Sequence, residues 1–296
     1  MRFEFVADQH VKVKTFLKKH EISKSLLAKI KFRGGDILVN GIQRNATYLL
    51  DIGDRVVVEI PNEEDLNGKL EAVEHPLEIV FEDEHFLVIN KPVGFASIPS
   101  AIHSSTIANF VKGYYLRQNY ENKQVHIVTR LDRDTSGLML FAKHGYAHAR
   151  LDKQLQAKTI QKRYYALVHG QGELAPSGDI IAPIGRPEDS IITRIVTQSG
   201  KYAHTSYELV QSWGDIHLVD IQLHTGRTHQ IRVHFSHIGF PLLGDDLYGG
   251  SLDFGIERQA LHCQNLSFVN PFMEERLNLS SPLPADFQAV IKKLNH

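Results

Sequence analysis

The sequence predicts an α+β protein: a mixed or mainly antiparallel catalytic sheet preceded by a small α+β module. Three observations carry this expectation. Strand-like apolar runs outnumber helical patterns beyond residue 77, as in folds whose strands and helices do not alternate regularly. The first 60 residues instead read as two short helices and a hairpin. Between these parts lies a polar, acidic stretch with proline at both ends, PNEEDLNGKLEAVEHP. The expected organisation is therefore a module over 1–60, a linker over 61–76 and a catalytic domain over 77–296. A chain of 296 residues, 42% hydrophobic and 23% charged, is long enough to fold this way.

Taken in order, residues 16–19 and 23–32 are expected to be helical, the second opened by Ser23 as N-cap with Leu26, Leu27 and Ile30 on one face. Residues 36–39 and 55–60 are expected as hairpin strands, with Asn40-Gly41 supplying a tight turn that tolerates positive φ. Strands follow at 77–81 and 86–89, a helix at 106–116, and a buried strand at 138–142. A helical pattern over 148–157 precedes strands at 164–168 and 216–223, and a helix is expected at 228–237.

Composition narrows the function. No apolar run reaches the roughly 18 residues a bilayer span needs, and the first eight residues do not resemble a signal peptide, so a cytoplasmic address is expected. Cys263 is the single cysteine, which excludes an internal disulfide and a multi-cysteine zinc site. Net charge is −1, but its distribution is uneven. Residues 1–60 hold 11 Lys+Arg against 7 Asp+Glu, and residues 61–78 hold six acids against Lys69. The stretch from Thr129 to Tyr165 has eight basic residues against Asp132, Asp134 and Asp152. Such clusters suit either solvated faces or contact with a polyanion.

The densest chemical signal is Thr129-Arg-Leu-Asp-Arg-Asp-Thr-Ser-Gly137, two carboxylates and two guanidinium groups at the entrance of an apolar strand. A carboxylate buried there needs a cationic partner; a loop tied down by Arg–Asp pairs satisfies the same composition. The second signal is Leu223-His-Thr-Gly-Arg-Thr-His-Gln-Ile-Arg-Val-His234, rich in donors suited to phosphate or carboxylate. His229 and His234 are five apart, not the four of a helical zinc-protease pair, so no metal is expected there. Ser136 lacks a Gly-x-Ser-x-Gly elbow, which disfavours a serine hydrolase. Asp134, two residues from Asp132, is poorly placed as the second carboxylate of a glycosidase.

In order along the chain, KPVG, RLDRDTSGLMLFAK, KRYYALV, TGRTHQIRVHFSHIGFPLLGDDLYGG and RQALHCQNLSF resemble the successive motifs of the RluA-type pseudouridine synthases. The resemblance spans about residues 77–283. Residues 12–60 also resemble the alpha-L RNA-binding domain found at the front of many such enzymes, as in the D-like subgroup that acts on the ribosomal large subunit.

This resemblance implies a set of roles. Asp132 would be the catalytic carboxylate and Arg130 would help displace the target base. Tyr164 would stack on the flipped uracil, Arg232 would pair with Asp132, and Leu261 would close the apolar wall of the base pocket. Lys91, Arg227 and His229 join the expected substrate-binding set. Displacing the base fits the physics, since a stacked uridine cannot reach a carboxylate until it is swung out. The implied reaction breaks the nitrogen–carbon glycosidic bond, turns the uracil and rejoins it through carbon 5, with no cofactor and no metal. The implied partner is RNA, ribosomal first and transfer RNA second, and a monomer would suffice. A non-catalytic RNA-binding protein on the same fold is the rival reading. Two departures from the family pattern stand out: Thr129 replaces a common histidine, and Phe95 to Pro99 lacks the usual histidine-proline ending.

Overall fold

The computed structural model describes residues 1–63, 70–100 and 104–296. Of the acidic stretch expected as a linker, residues 64–69 lie outside the described residues. At the front, β1 (Arg2–Val6), α1 (Val13–Lys19), α2 (Lys24–Phe32), β2 (Asp36–Val39), β3 (Ile42–Gln43) and β4 (Arg55–Glu59) form two helices on an antiparallel sheet ordered β1-β4-β2-β3. Val13, Phe16, Leu17, Ile30, Val56 and Val58 fill its core. Ser23 caps α2 as expected, its hydroxyl accepting the Leu26 N–H at 3.1 Å.

The hairpin differs in connectivity from expectation. Asn40 and Gly41, with φ of 52° and 80°, turn β2 into the short β3, while β4 returns later to pair with the other edge of β2. Two positive-φ residues in succession make the tight turn that joins adjacent antiparallel strands, so the turn serves the nearer partner. Strand β1 is an addition. Its run RFEFV alternates without burying any residue fully, so the local pattern is weak.

The second sheet has ten strands. Its elements are β5 (Glu78–Glu82), β6 (Phe86–Lys91), α3 (Ile107–Arg117), β7 (His126–Ile127), β8 (Ser136–Ala142), α4 (Gly145–Gln156) and β9 (Gln161–His169). Next come β10 (Ser177–Ile181), the separate pair β11 (Ile184–Gly185) and β12 (Ile195–Val196), then β13 (His204–Trp213), β14 (Ile216–Leu223) and α5 (Gln230–His237). The last are β15 (Leu261–Asn270), β16 (Glu275–Ser280) and α6 (Ala285–Leu294). The main path runs β10-β13-β14-β9-β15-β8-β6-β5, with β16 beside β15 and β7 beside β8. Every pairing among these is antiparallel except β15 with β8. The α+β expectation holds.

Both faces of the centre are covered, which explains why β6 and β8 read as continuous apolar runs. Val88, Leu138 and Leu140 point into one core with Ala166, Val219 and Phe235. Leu87, Ile89, Met139 and Phe141 point the other way, onto Ile107, Phe110 and Val111 of α3. Farther along, Leu167 and Leu218 meet Phe287 and Val290 of α6.

The front sheet docks on the second part through α4. Tyr146 donates its hydroxyl to the His20 carbonyl at 2.6 Å, Arg150 pairs with Glu21 at 3.0 Å, and Phe3 lies against Tyr146 and Phe272. Either side of the undescribed residues, Glu63 accepts from the Gly145 N–H, and the Val73 N–H reaches the Asn109 carbonyl of α3. No helix among the described residues is long and apolar enough to cross a membrane.

Candidate active site

Strands β9, β15 and β8 are neighbours, and the ends of all three open into one cleft of about 390 Å³. The loop before β8 supplies Arg130 and Asp132, β9 supplies Tyr164, β15 begins with Leu261, and α5 supplies Arg232. Five residues separated in sequence by up to 131 positions thus converge because the sheet order brings their strands together.

The Asp132 loop has no regular structure of its own and is held from behind. Lys91 is fully buried beneath it, its ammonium donating to the carbonyls of Pro92, Arg133 and Thr135 at 2.8, 2.8 and 3.0 Å. Burial lowers the Lys91 pKa to about 7, opposed by the carboxylates of Asp134 and Asp132. Ser97 accepts the Leu131 N–H and donates to the Leu131 carbonyl at 2.6 Å. Thr129, which departs from the family histidine, accepts the Leu140 N–H at 2.9 Å and so ties the loop to β8. Arg258 grips Asp286 and donates to the Asp134 and Leu261 carbonyls, which joins the loop to the start of β15.

Gly137 makes this junction possible. Its φ is +113°, and a Cβ there would lie 2.3 Å from the Cys263 carbonyl oxygen. Only glycine allows the two parallel strands to approach so closely at this point.

Arg232 forms a bidentate pair with Asp245, Nε and Nη2 each 2.7 Å from a carboxylate oxygen. Its remaining nitrogen, Nη1, faces Asp132 at 4.0 Å. The expected Arg232–Asp132 pairing is therefore the longer of two, and Asp245 is the partner that holds the guanidinium in place. Asp245 is fully buried, so it needs this cation. Burial works against the Arg232 charge, but Asp245 and then Asp132 outweigh it and raise its pKa. Tyr248 completes the support, its ring 4.9 Å beneath the guanidinium carbon.

Tyr164 and Leu261 form the apolar wall, 3% and 4% exposed, with Cys263 behind Tyr164. Burial raises the Tyr164 pKa, so the phenol is neutral and its ring is what it offers. Lys162, two residues earlier on β9, also lines the cleft, its ammonium 5.9 Å from the Tyr164 ring centre. Burial depresses the Lys162 pKa, opposed by Cys263 and Asp132. Arg130 and Arg227 are exposed at the rim, Arg227 donating to the Tyr202 carbonyl at 2.9 Å.

Two expected substrate-binding residues are not among the cleft lining. Lys91 is consumed by the loop's carbonyls, as above. His229 sits at the start of α5 with φ of 57°, its Nδ1 2.8 Å from the Tyr248 hydroxyl. Its place beside the cleft is taken by Gln230, which accepts from the Thr225 hydroxyl and the Arg227 N–H, and donates to the His204 carbonyl and the Thr205 hydroxyl. Sequence reasoning also missed Asp245 and Tyr248. Their signal was Gly-Asp-Asp-Leu-Tyr-Gly-Gly, an acidic pair amid turn residues and after an apolar run, where a buried carboxylate would have demanded an arginine.

The geometry is that of a preorganised carboxylate beside an aromatic wall, with a fixed cation behind and exposed cations at the rim. Comparison with known proteins identifies the family. The family described as RNA pseudouridylate synthase matches residues 85–237. The chain is 46% identical over 285 residues to the "Uncharacterized RNA pseudouridine synthase YjbO" of Bacillus subtilis, covering 96% of this chain and 99% of that one. It is 37% identical over 269 residues to "Ribosomal large subunit pseudouridine synthase D" of Pseudomonas aeruginosa, covering 86% and 82%. Among solved structures, "Human RNA Pseudouridylate Synthase Domain Containing 4" shares the fold with a TM-score of 0.61 at 24% identity, over 74% of this chain and 93% of that one. This chain belongs to the RNA pseudouridylate synthase family, in its RluA-type branch, and is an enzyme that isomerises uridine to pseudouridine in RNA.

Proposed function

We propose that the chain modifies uridines of large-subunit ribosomal RNA, with Asp132 as the catalytic carboxylate. The observation that carries the assignment of Asp132 is its position: a half-buried carboxylate on a loop tied from behind, facing both Tyr164 and a guanidinium already fixed by Asp245. Preorganised charge of this kind does not reorganise during reaction. Tyr164 offers a face on which a flipped uracil stacks, Leu261 excludes water beside it, and Arg130 at the rim occupies the space the base leaves. Arg227 meets the phosphates. Lys91 and His229 support the site without touching the RNA, Lys91 through the loop and His229 through Tyr248. The reaction redistributes bonds within one nucleotide and uses no cofactor.

The ribosomal assignment is supported by relatives that carry this target in their names, among them "Ribosomal large subunit pseudouridine synthase C" of Vibrio cholerae, 36% identical over 290 residues. Residues 1–60 serve, on this reading, as an alpha-L type RNA-binding domain ahead of a catalytic domain beginning near residue 77. Their Lys12 to Arg33 stretch would grip phosphates without reading sequence. One chain brings Arg130, Asp132, Tyr164, Arg227, Arg232 and Leu261 into one cleft, so the working unit on this reading is a monomer, acting in the cytoplasm.

The test is incubation of the protein with unmodified large-subunit ribosomal RNA and transfer RNA transcripts, followed by carbodiimide labelling and primer extension. New stops in ribosomal RNA, absent with Asp132→Ala, are expected. Stops confined to transfer RNA would replace the substrate and leave the catalytic assignment standing. Undiminished product from Asp132→Ala would overturn that assignment.

A further inference from the structure

On the outer face of the second sheet, beside the cleft, three adjacent strands bring together Asp179 of β10, His204 of β13 and His224 just past the end of β14. Among the described residues, this is the group whose nitrogen and carboxylate atoms lie close enough to share one ion, all within 4.8 Å of one another. His204 Nε2 is 2.8 Å from Asp179 Oδ1. The two imidazoles stack, centroids 4.1 Å apart and planes 23° from parallel. Ser206 stands between the ligands, its hydroxyl near both Asp179 Oδ1, at 2.5 Å, and His224 Nε2, at 2.6 Å.

We propose that Asp179, His204 and His224 form a binding site for a divalent transition-metal ion of the Zn2+ type. Two imidazoles and one carboxylate are the donor set that this class prefers, while Mg2+ and Ca2+ favour oxygen alone. Bonds of about 2.0–2.1 Å in a tetrahedron put ligand atoms roughly 3.3 Å apart. To admit an ion on that geometry the Asp179–His204 contact opens by about half an ångström, and the stacked imidazoles and the Ser206 hydroxyl between them swing until both ring lone pairs converge on one point. Three protein ligands leave a fourth position for water or an RNA phosphate oxygen.

Nearby charge is already matched, since Arg163 pairs with Asp220 at 3.0 Å and lies 3.7 Å from Glu208.

Such an ion would brace the rim of the cleft. His224 is followed directly by Thr225, Gly226 and Arg227, and the His204 carbonyl is held by Gln230. The proposal concerns an ion outside the reacting centre and does not depend on which RNA is modified.

The experiment is Co2+ titration of untagged, chelator-treated full-length protein, read by visible absorption. Saturation at one Co2+ per chain with the strong bands of low-coordinate Co2+ is expected. His224→Ala and the milder Asp179→Asn should each weaken binding at least tenfold, and Zn2+ should raise the Tm of the unmutated protein but not of the variants. Weak octahedral absorption, or equal Co2+ affinity in wild type and His224→Ala, would overturn the site.

Discussion

Asp132 was legible as a residue because guanidinium groups, hydroxyls and a glycine crowd around it in nine positions. What a linear reading could not supply was the hierarchy among its partners. Arg232 is shared between two carboxylates, and the tighter contact goes to Asp245, 13 residues further along and buried by a turn no periodicity announces. Asp132→Asn should therefore abolish product, by at least about a thousandfold in kcat, while RNA binding measured by filter retention changes less than about fivefold. Asp245→Asn should act through Arg232. With one hydrogen-bonding face of the pair lost, the guanidinium turns toward Asp132, so kcat falls roughly tenfold or more with KM little changed, and the pH profile of kcat shifts. A loss of Tm with unchanged kcat in the folded fraction would make Asp245 merely structural. Lys91 teaches the same lesson in reverse: the resemblance put it in the substrate-binding set, but its three donors are spent on carbonyls, a pattern set by the distant loop it holds.

The elements most readable from sequence were those buried on both sides. The runs of β6 and β8 contain few residues that could face water, and their apolar continuity survives any choice of neighbour. Strands at the periphery were harder to read. β1 and β10 expose alternate or most positions, and β3 has two residues, so pairing partners far away in sequence define them. The order of strands follows from contacts of this long-range kind, including the one parallel pairing among the described residues, which places Leu261 beside the Asp132 loop. That pairing yields a sharp prediction. Gly137→Ala puts a methyl group against the Cys263 carbonyl and forces a φ that L-residues avoid, so β8 and β15 must part. Tm should drop by several degrees, and residual activity should fall further than stability explains, since Leu261 and Asp132 separate together. Retention of both would show that the strands can shift without cost to the cleft.

At the scale of the whole molecule, the two sheets meet across a cluster of histidines, and this makes their union sensitive to acid. His144 accepts the Ala147 N–H on Nδ1 at 3.1 Å and shares Nε2 with His85 Nδ1 at 3.0 Å. With Nδ1 used as an acceptor, His144 must be neutral and donate from Nε2, which in turn requires His85 to accept on Nδ1. Burial, and then His85, lower the His144 pKa to about 3, and burial also lowers that of His85. The unfolded chain takes up these protons near pH 6.5 while the folded chain refuses them, so stability is full above pH 6.5 and declines as pH falls below it. Glu63 behaves differently. Burial opposes its ionisation, but the His126 contact at 2.6 Å, the Gly145 N–H and the Lys29 ammonium together outweigh burial and hold its pKa at about 2, so its contribution persists down to pH 4.5 and is lost below. Between pH 6.5 and 4.5 the histidines should dominate, each costing up to about 1.4 kcal/mol per pH unit. His144→Asn keeps an acceptor for the cap and removes the titration. Melting curves across that window should show Tm falling with pH in the wild type and a shallower slope in His144→Asn. Because Phe3 packs near both rings, at 5.9 Å from His85 and 6.0 Å from His144, acid should loosen the front sheet before the second one. Hydrogen exchange at pH 5 should then show β1 and β4 losing protection ahead of β8 and β9, and simultaneous loss would mean that the histidine contact does not govern the join.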